Sequence, residues 1–369
     1  MDPVTQAALG AAVGQLVGGR VLGARAALAG ACAGAAPDID VIFSAGGDWY
    51  DSLRLHRGIT HSLFFGPVIG PALGALAWHL ERQRFTAVRK RGFDAAAAPL
   101  PDAAFGTRQR AIAWIAVMSF GLLSHPLLDV LTSYGTQLLQ PFSDARFAIH
   151  AMPIIDPVYT LLLLLGVALG VRRATGHSTP RVTLIAAATL LVTSVYLGWA
   201  ATINARAEAW ARADLAAEGV DYDQLSAFPT LLQIHYRRIV ARSNDADHVG
   251  YVSLWKPCDI RWESAPRLRP ASAEAFLASR EGRIFDWFTM GWLRFAPAGD
   301  DPSLALRAVD LRYGLDTDPN RSLFSVELHQ NPQTAELGPS RPGRGAALER
   351  MNLLGTLAAA AYPATCPVG

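Results

Sequence analysis

The chain has 369 residues, 51% of them hydrophobic and only 17% charged, with a formal net charge of +2. A soluble domain carries about 25% charged residues, so an ordinary soluble protein is excluded. The near-neutral balance without a basic block excludes a binder of phosphate backbones, and three cysteines without a C-x-x-C pair exclude a thiolate zinc site.

The apolar residues crowd into 4–201, while 202–369 hold ordinary charge with scattered Trp and Pro. This contrast gives a membrane domain, 1–201, and a soluble domain, 202–369. Met1-Asp2-Pro3 carries no basic n-region, so the first apolar stretch is expected to be retained structure. Ala7 to Val17 and Val21 to Ala36 form a short pair of apolar helices, with Gly18, Gly19 and Arg20 as the predicted turn. Gly10, Gly14, Gly18 and Gly30, Gly34 have the small-xxx-small spacing that lets helices approach closely in lipid.

Four longer segments, 63–80, 111–131, 154–171 and 182–201, reach the length of a bilayer span. The expected membrane fold is an all-α polytopic bundle of about six helices. Arg82, Arg84, Arg89, Lys90, Arg91, Arg108 and Arg110 share one loop, Arg172, Arg173 and Arg181 the next alternate loop, and Arg20 and Arg25 the first turn. The positive-inside rule makes that side cytoplasmic. The opposite loops, rich in aspartate, and the domain from 202 onward are then extracytoplasmic.

Beyond 201 the sequence predicts a polar helix over Asn204 to Glu218 and strands at 249–255, 284–295, 306–313 and 324–328. Ala346 to Tyr362 reads as a short helix. A small α+β domain is the expected result. Cys258 and Cys366 both fall in it, where an oxidising compartment permits a disulfide.

Four motifs hold most of the ionisable groups of the acidic side. In Pro37-Asp38-Ile39-Asp40 an extended turn would point both carboxylates at one ion. Taken alone, two solvated loop aspartates are the competing reading. His56-Arg57-Gly58-Ile59-Thr60-His61-Ser62 offers two histidines around a glycine, either metal ligands or interfacial hydrogen-bonding groups. Ser124-His125-Pro126-Leu127-Leu128-Asp129 places a His and an Asp four apart on a membrane helix, and such groups are costly there unless partnered. The structural alternative is a His–Asp pair that ties helices together. The fourth stretch, from Thr132-Ser133-Tyr134-Gly135-Thr136 through Pro141-Phe142-Ser143-Asp144 to Arg146, carries a lone arginine suited to a phosphate, a carboxylate or a lipid headgroup. Asp156-Pro157 reads as the N-cap and first residue of the next span.

The arginine-derived topology puts Asp38, Asp40, His56, His61, His125 and Asp129 at one membrane face. These oxygen and imidazole donors suit a divalent ion such as Zn, Mn or Mg. His125, Asp129 and His61 are the catalytic candidates, and Arg57 and Arg146 the substrate-binding ones.

These motifs resemble the YdjM-like family of LexA-regulated inner-membrane proteins, described as metal-dependent hydrolases. The likeness rests on Pro37 to Asp40, His56 to Ser62, Ser124 to Thr132, Tyr134-Gly135-Thr136 and Pro141 to Asp144, within residues 1–170. It implies an inner-membrane hydrolase with bound metal and the same six residues as its site. Some members have a histidine near the start where this chain has Gln6 after Thr5. Membrane lipids are the expected partners, and a phosphoester or lipid-like molecule the expected substrate. A metal transporter or a membrane scaffold for the soluble domain is the alternative.

Overall fold

The computed structural model describes residues 1–43, 46–90, 106–174, 180–256, 258–297, 304–314, 316–329, 340–343 and 360–362. Two compact units emerge. Met1–Phe43, Leu55–Ala148 and Ile154–Gly198 form the first, and Ser44–Arg54, Ile149–Pro153 and Trp199–Gly369 the second.

The first unit is helical. Asp2 caps α1 (Pro3–Leu22) by accepting from the backbone of Val4 and Thr5, with Pro3 at the position where a missing N–H costs nothing. α2 (Ala24–Ala35) runs into a 3-10 segment, Ala36–Ile42. After α3 (Trp49–Leu55) come a 3-10 turn, Ile59–His61, and α4 (Phe65–Lys90). α5 (Thr107–Asp129), α6 (Pro157–Ala174) and α7 (Pro180–Glu218) follow. Asp156 caps α6 as expected, accepting from Tyr159 N at 2.8 Å, and also takes the Tyr196 hydroxyl at 2.9 Å.

Among the described residues three helices, α5, α6 and α7, are long and apolar enough to cross a membrane. A fourth is added if Trp49–His61 and Phe65–Arg84, bent by 64°, form one broken span. The sequence suggested six. α2 has 12 residues, a rise of about 18 Å against a hydrocarbon core of about 30 Å, so it is too short to cross alone. The helix break also differs from expectation, falling at Gly23 with φ +59° and ψ −138° rather than at Gly18 to Arg20. Gly18 and Gly19 stay helical because neighbours crowd them: a Cβ on Gly18 would lie 2.4 Å from Val117 Cγ2, and one on Gly19 2.8 Å from Val182 Cγ1.

α1 and α2 cross on bare backbone. A Cβ on Gly10 would stand 2.2 Å from the Gly30 carbonyl and 2.7 Å from Gly34 Cα, and neither atom can swing away. Gly10→Val is therefore expected to force the helices apart and lower stability by at least about 1–3 kcal/mol, the usual cost of overpacking. Thermal unfolding in detergent measures this, and an unchanged midpoint would show that the crossing is not rigid.

The second unit is α+β. β1 (Gln224–Pro229), β2 (Tyr236–Arg242), β3 (Ala246–Ser253) and β4 (Glu263–Pro266) form one antiparallel sheet in chain order. After α8 (Ala271–Ala278) and α9 (Arg280–Thr289), a second antiparallel sheet contains β5 (Leu293–Ala296), β6 (Leu304–Asp310), β7 (Ser325–His329) and β8 (Arg341–Pro342). Ala207 and Ala211 of α7 pack with Ala227, Ile239, Val252 and Ile260 on the first sheet. Residues 284–295, read as a strand, are instead the end of α9 and β5. Ser279 caps α9 through Gly282 N, and burial of Phe285, Phe288 and Thr289 follows helical spacing. Cys258 is disulfide-bonded and Cys32 is a free, exposed thiol, while Cys366 and most of the helix expected over 346–362 lie outside the described residues.

Candidate metal centre

The centre lies wholly in the first unit, on α5, the 3-10 segment after α2 and the 3-10 turn before α4. Pro37 starts the segment Ala36–Ile42, and the chain turns there instead of extending. At three residues per turn, side chains two apart diverge, so Asp38 and Asp40 point different ways. His61 stands between them. Its Nε2 is 3.5 Å from Asp38 Oδ1 and its Nδ1 is 3.2 Å from Asp40 Oδ2.

His125 enters from α5. Close helix packing, in which a Cβ on Gly121 would lie 2.7 Å from Ala33 Cβ, brings the end of α2 up to α5. The Gly34 carbonyl then lies 2.6 Å from His125 Nδ1. With Nδ1–H donating to that carbonyl, Nε2 carries the lone pair and faces inward. His61 is set in the same way, because its Nδ1 meets Asp40 at 3.2 Å and Thr60 Oγ1 at 3.1 Å. A histidine held by a carboxylate on one nitrogen is the usual support of a metal ligand on the other.

Asp38, His61 and His125 offer ligand atoms that all lie within 4.8 Å of one another. Asp129, one turn beyond His125, adds a fourth arm. His61 Nε2 and His125 Nε2 each stand 3.4 Å from Asp129 Oδ2, and His125 Nε2 is 3.3 Å from Asp38 Oδ1. In a tetrahedral site with centre-to-ligand distances of about 2.1 Å, ligand atoms are about 3.4 Å apart. An octahedral site of that size would bring neighbours to about 3.0 Å. His61 Nε2, His125 Nε2 and Asp129 Oδ2 are buried without a hydrogen-bond partner, which is costly unless a cation takes their lone pairs. The residues present therefore fit a divalent ion.

The other predicted residues surround this set. Asp40 is buried, with Oδ1 2.9 Å from His56 Nδ1 and Oδ2 accepting from Arg57 N at 2.8 Å. His56 thus meets Asp40 rather than the inward-facing atoms. Burial raises the Asp38 and Asp40 carboxyls, but the facing imidazoles, His125 and His61 at the first and His56 and His61 at the second, hold both below the ordinary carboxylate range. Arg57 is 3% exposed. Its Nε lies 3.1 Å from Asp129 Oδ2, close as an ion pair but not aligned as a hydrogen bond, and its Nη1 donates to Thr132 Oγ1 at 2.8 Å. Arg146 Nη2 donates to the carbonyls of Tyr134 at 2.6 Å and Gly135 at 3.1 Å. Both guanidiniums lie about 5 Å from the Tyr134 ring, at 4.8 and 5.1 Å.

Residues 1–206, more than half of the chain, match the YdjM inner membrane protein family. The chain belongs to that family. All the centre's residues lie inside the YdjM match, and both β-sheets lie beyond it. Inner membrane protein YbcI of Escherichia coli (strain K12) is 31% identical over 146 residues, covering 39% of this chain and 69% of that protein. No solved structure matches the chain significantly.

Sequence reasoning missed several supports. Gln6 Nε2 donates to Asp129 Oδ1 at 3.0 Å, and the Met1 amino group also contacts that oxygen. A glutamine in an otherwise apolar helix was the available signal. The roles of the Gly34 carbonyl and Thr132 depend on long-range packing and leave no mark in local spacing.

Proposed function

We propose that the chain is a membrane-bound, metal-dependent hydrolase acting on a phosphoester or lipid-like substrate at the extracytoplasmic face of the inner membrane. The observation that supports this most is the convergence of ligand atoms of Asp38, His61 and His125 within 4.8 Å of one another, with Asp129 Oδ2 3.4 Å from both imidazole nitrogens and both imidazoles held from behind. These four residues would hold the ion, and two imidazole nitrogens among the donors favour Zn over Mg, with Mn between. A divalent ion bound there supplies Lewis acidity and lowers the pKa of water toward 7. His61 and His125 are held by Asp40 and the Gly34 carbonyl, and Asp129 is paired with Arg57. Asp38 is the arm that reaches solvent, its side chain 23% exposed against 0–1% for the others. It is the group placed to take a proton from water or to yield its place to substrate.

One observation favours the scaffold reading. With Asp129 beside Asp38, His61 and His125, four protein groups are at hand for one ion, as in structural zinc sites, whereas catalytic sites keep a position open. Hydrolysis of phosphoester and ester substrates by purified protein, with and without chelator, separates the two readings. The hydrolase reading predicts chelator-sensitive turnover that Asp38→Asn lowers at least about 100-fold. Absence of turnover across the panel, with metal bound, would leave the scaffold.

The orientation rests on the arginines that flank α4, α5, α6 and α7. Reporter fusions after Arg173 should be cytoplasmic and those after Asp221 exported. A cytoplasmic reporter at 221 would put the second unit on the other side.

A further inference from the structure

The second unit contains a cavity of about 420 Å³ lined by the ends of β2 and β3, the segment after β4, β5, α8 and α9. That volume suits a small organic ligand. Its buried lining is an ion triad. Asp247, fully buried, accepts from Arg242 Nε at 2.7 Å on one oxygen and from Arg294 Nη1 at 2.8 Å on the other. One carboxylate thus serves two guanidiniums, and the triad keeps an excess positive charge. The remaining donors of Arg242 go to the Gly291 and Leu293 carbonyls, and those of Arg294 to the Ala265 and Pro266 carbonyls and Asn320 Oδ1. Neutral acceptors satisfy hydrogen bonds without cancelling charge.

Two more arginines line the cavity from the segment after β4. Arg267 Nη1 donates to the Ser243 carbonyl at 3.1 Å, and burial, then Arg242, lower its pKa below the ordinary arginine value. Arg269 makes no hydrogen bond or ion pair among the described residues. Glu274 on α8 and Asp286 on α9 also line the cavity; both are exposed, and neither is within ion-pair distance of the four arginines among the described residues, Asp286 interacting with Arg242 at longer range. Four guanidiniums therefore converge where one buried carboxylate is engaged, and like charges so placed favour an anion.

We propose that this cavity binds an organic phosphate, its oxygens taken by Arg267 and Arg269 beside the Arg242–Asp247–Arg294 triad and its apolar part lying against Leu277 and Phe295. A guanidinium fork matches paired phosphoryl oxygens, and two arginines without carboxylate partners match a dianion better than a single carboxylate. The same chemistry occurs in a free phosphate monoester and in the headgroup of phosphatidic acid.

The test is calorimetric titration of the full chain, stripped of metal by chelator and held in phosphatidylcholine nanodiscs, with two probes. Phenyl phosphate stands for the free monoester and dihexanoyl phosphatidic acid for the headgroup. The expected result is saturable one-to-one binding of at least one probe, weakened about tenfold or more by Arg267→Gln with Arg269→Gln, since each charge-assisted hydrogen bond contributes that order of affinity. The tighter probe identifies the source. Both substitutions lie at exposed or half-buried positions outside the helices and strands, and unchanged circular dichroism verifies the fold. Binding of neither probe, binding indifferent to the double substitution, or binding that appears only when metal is restored would overturn the proposal.

Discussion

His125→Ala and His61→Ala are each expected to leave a membrane-inserted, folded protein that no longer retains a divalent ion. Each removes one of the inward-facing ligand atoms, whose His–Asp spacings are 3.3–3.5 Å. Loss of an outer-shell partner typically costs about 10- to 100-fold in metal affinity, so loss of the ligand should exceed about 100-fold. Asp40→Asn supplies the graded comparison. It keeps a hydrogen-bond acceptor beside His61 Nδ1 but removes the charge, and should fall within the 10- to 100-fold range. Insertion should survive in the histidine variants, because Ala replaces a polar group that is expensive at membrane depth. Metal analysis after gel filtration and competition with a chromogenic chelator give the two readouts. Stoichiometric metal in both histidine variants would refute the centre as built here.

The family and the motif set were legible because chemistry at membrane depth leaves few bland explanations. A His and an Asp one helical turn apart in an apolar segment signal a partner, and here His125 and Asp129 face Asp38, His61 and Arg57. What the sequence concealed is the division of labour within the set. An extended Asp38-Ile39-Asp40 would give two equivalent carboxylates, whereas the 3-10 turn sends one toward His125 and the other behind His61. Local pattern cannot separate those outcomes, because Pro37 can begin either. The reading of 284–295 as a strand failed similarly. Its apolar residues alternate well enough for a strand, but the Ser279 cap and the buried spacing of Phe285 and Phe288 select a helix. The glycines of α1 were read as a turn at 18–19 when close packing on Val117 and Val182 was their use.

Arg57→Met should destabilise the metal-free protein by about 3–5 kcal/mol and tighten metal binding. This outcome distinguishes a structural counter-ion from the substrate-binding arginine that the sequence suggested. Arg57 is 3% exposed and lies against Asp129, itself 1% exposed. Removing one partner of a buried ion pair costs this much, and the Met1 amino group left against Asp129 places the loss at the low end of that range. Thr132 Oγ1 and the Asp129 carbonyl lose a donor as well, at 2.8 and 3.3 Å. A divalent ion at the same carboxylate would replace the missing positive charge and would no longer be repelled by the guanidinium. The rise in melting temperature on adding metal should therefore be larger in the variant than in the parent, because ligand stabilisation grows with the ratio of concentration to Kd. Arg57→Lys, which restores a charge without the fork that reaches Thr132, should fall between the two. Had Arg57 served mainly to hold a phosphoester, both variants would keep the parent's melting temperature and metal affinity and differ only in KM. That pattern would return Arg57 to the substrate side of the centre.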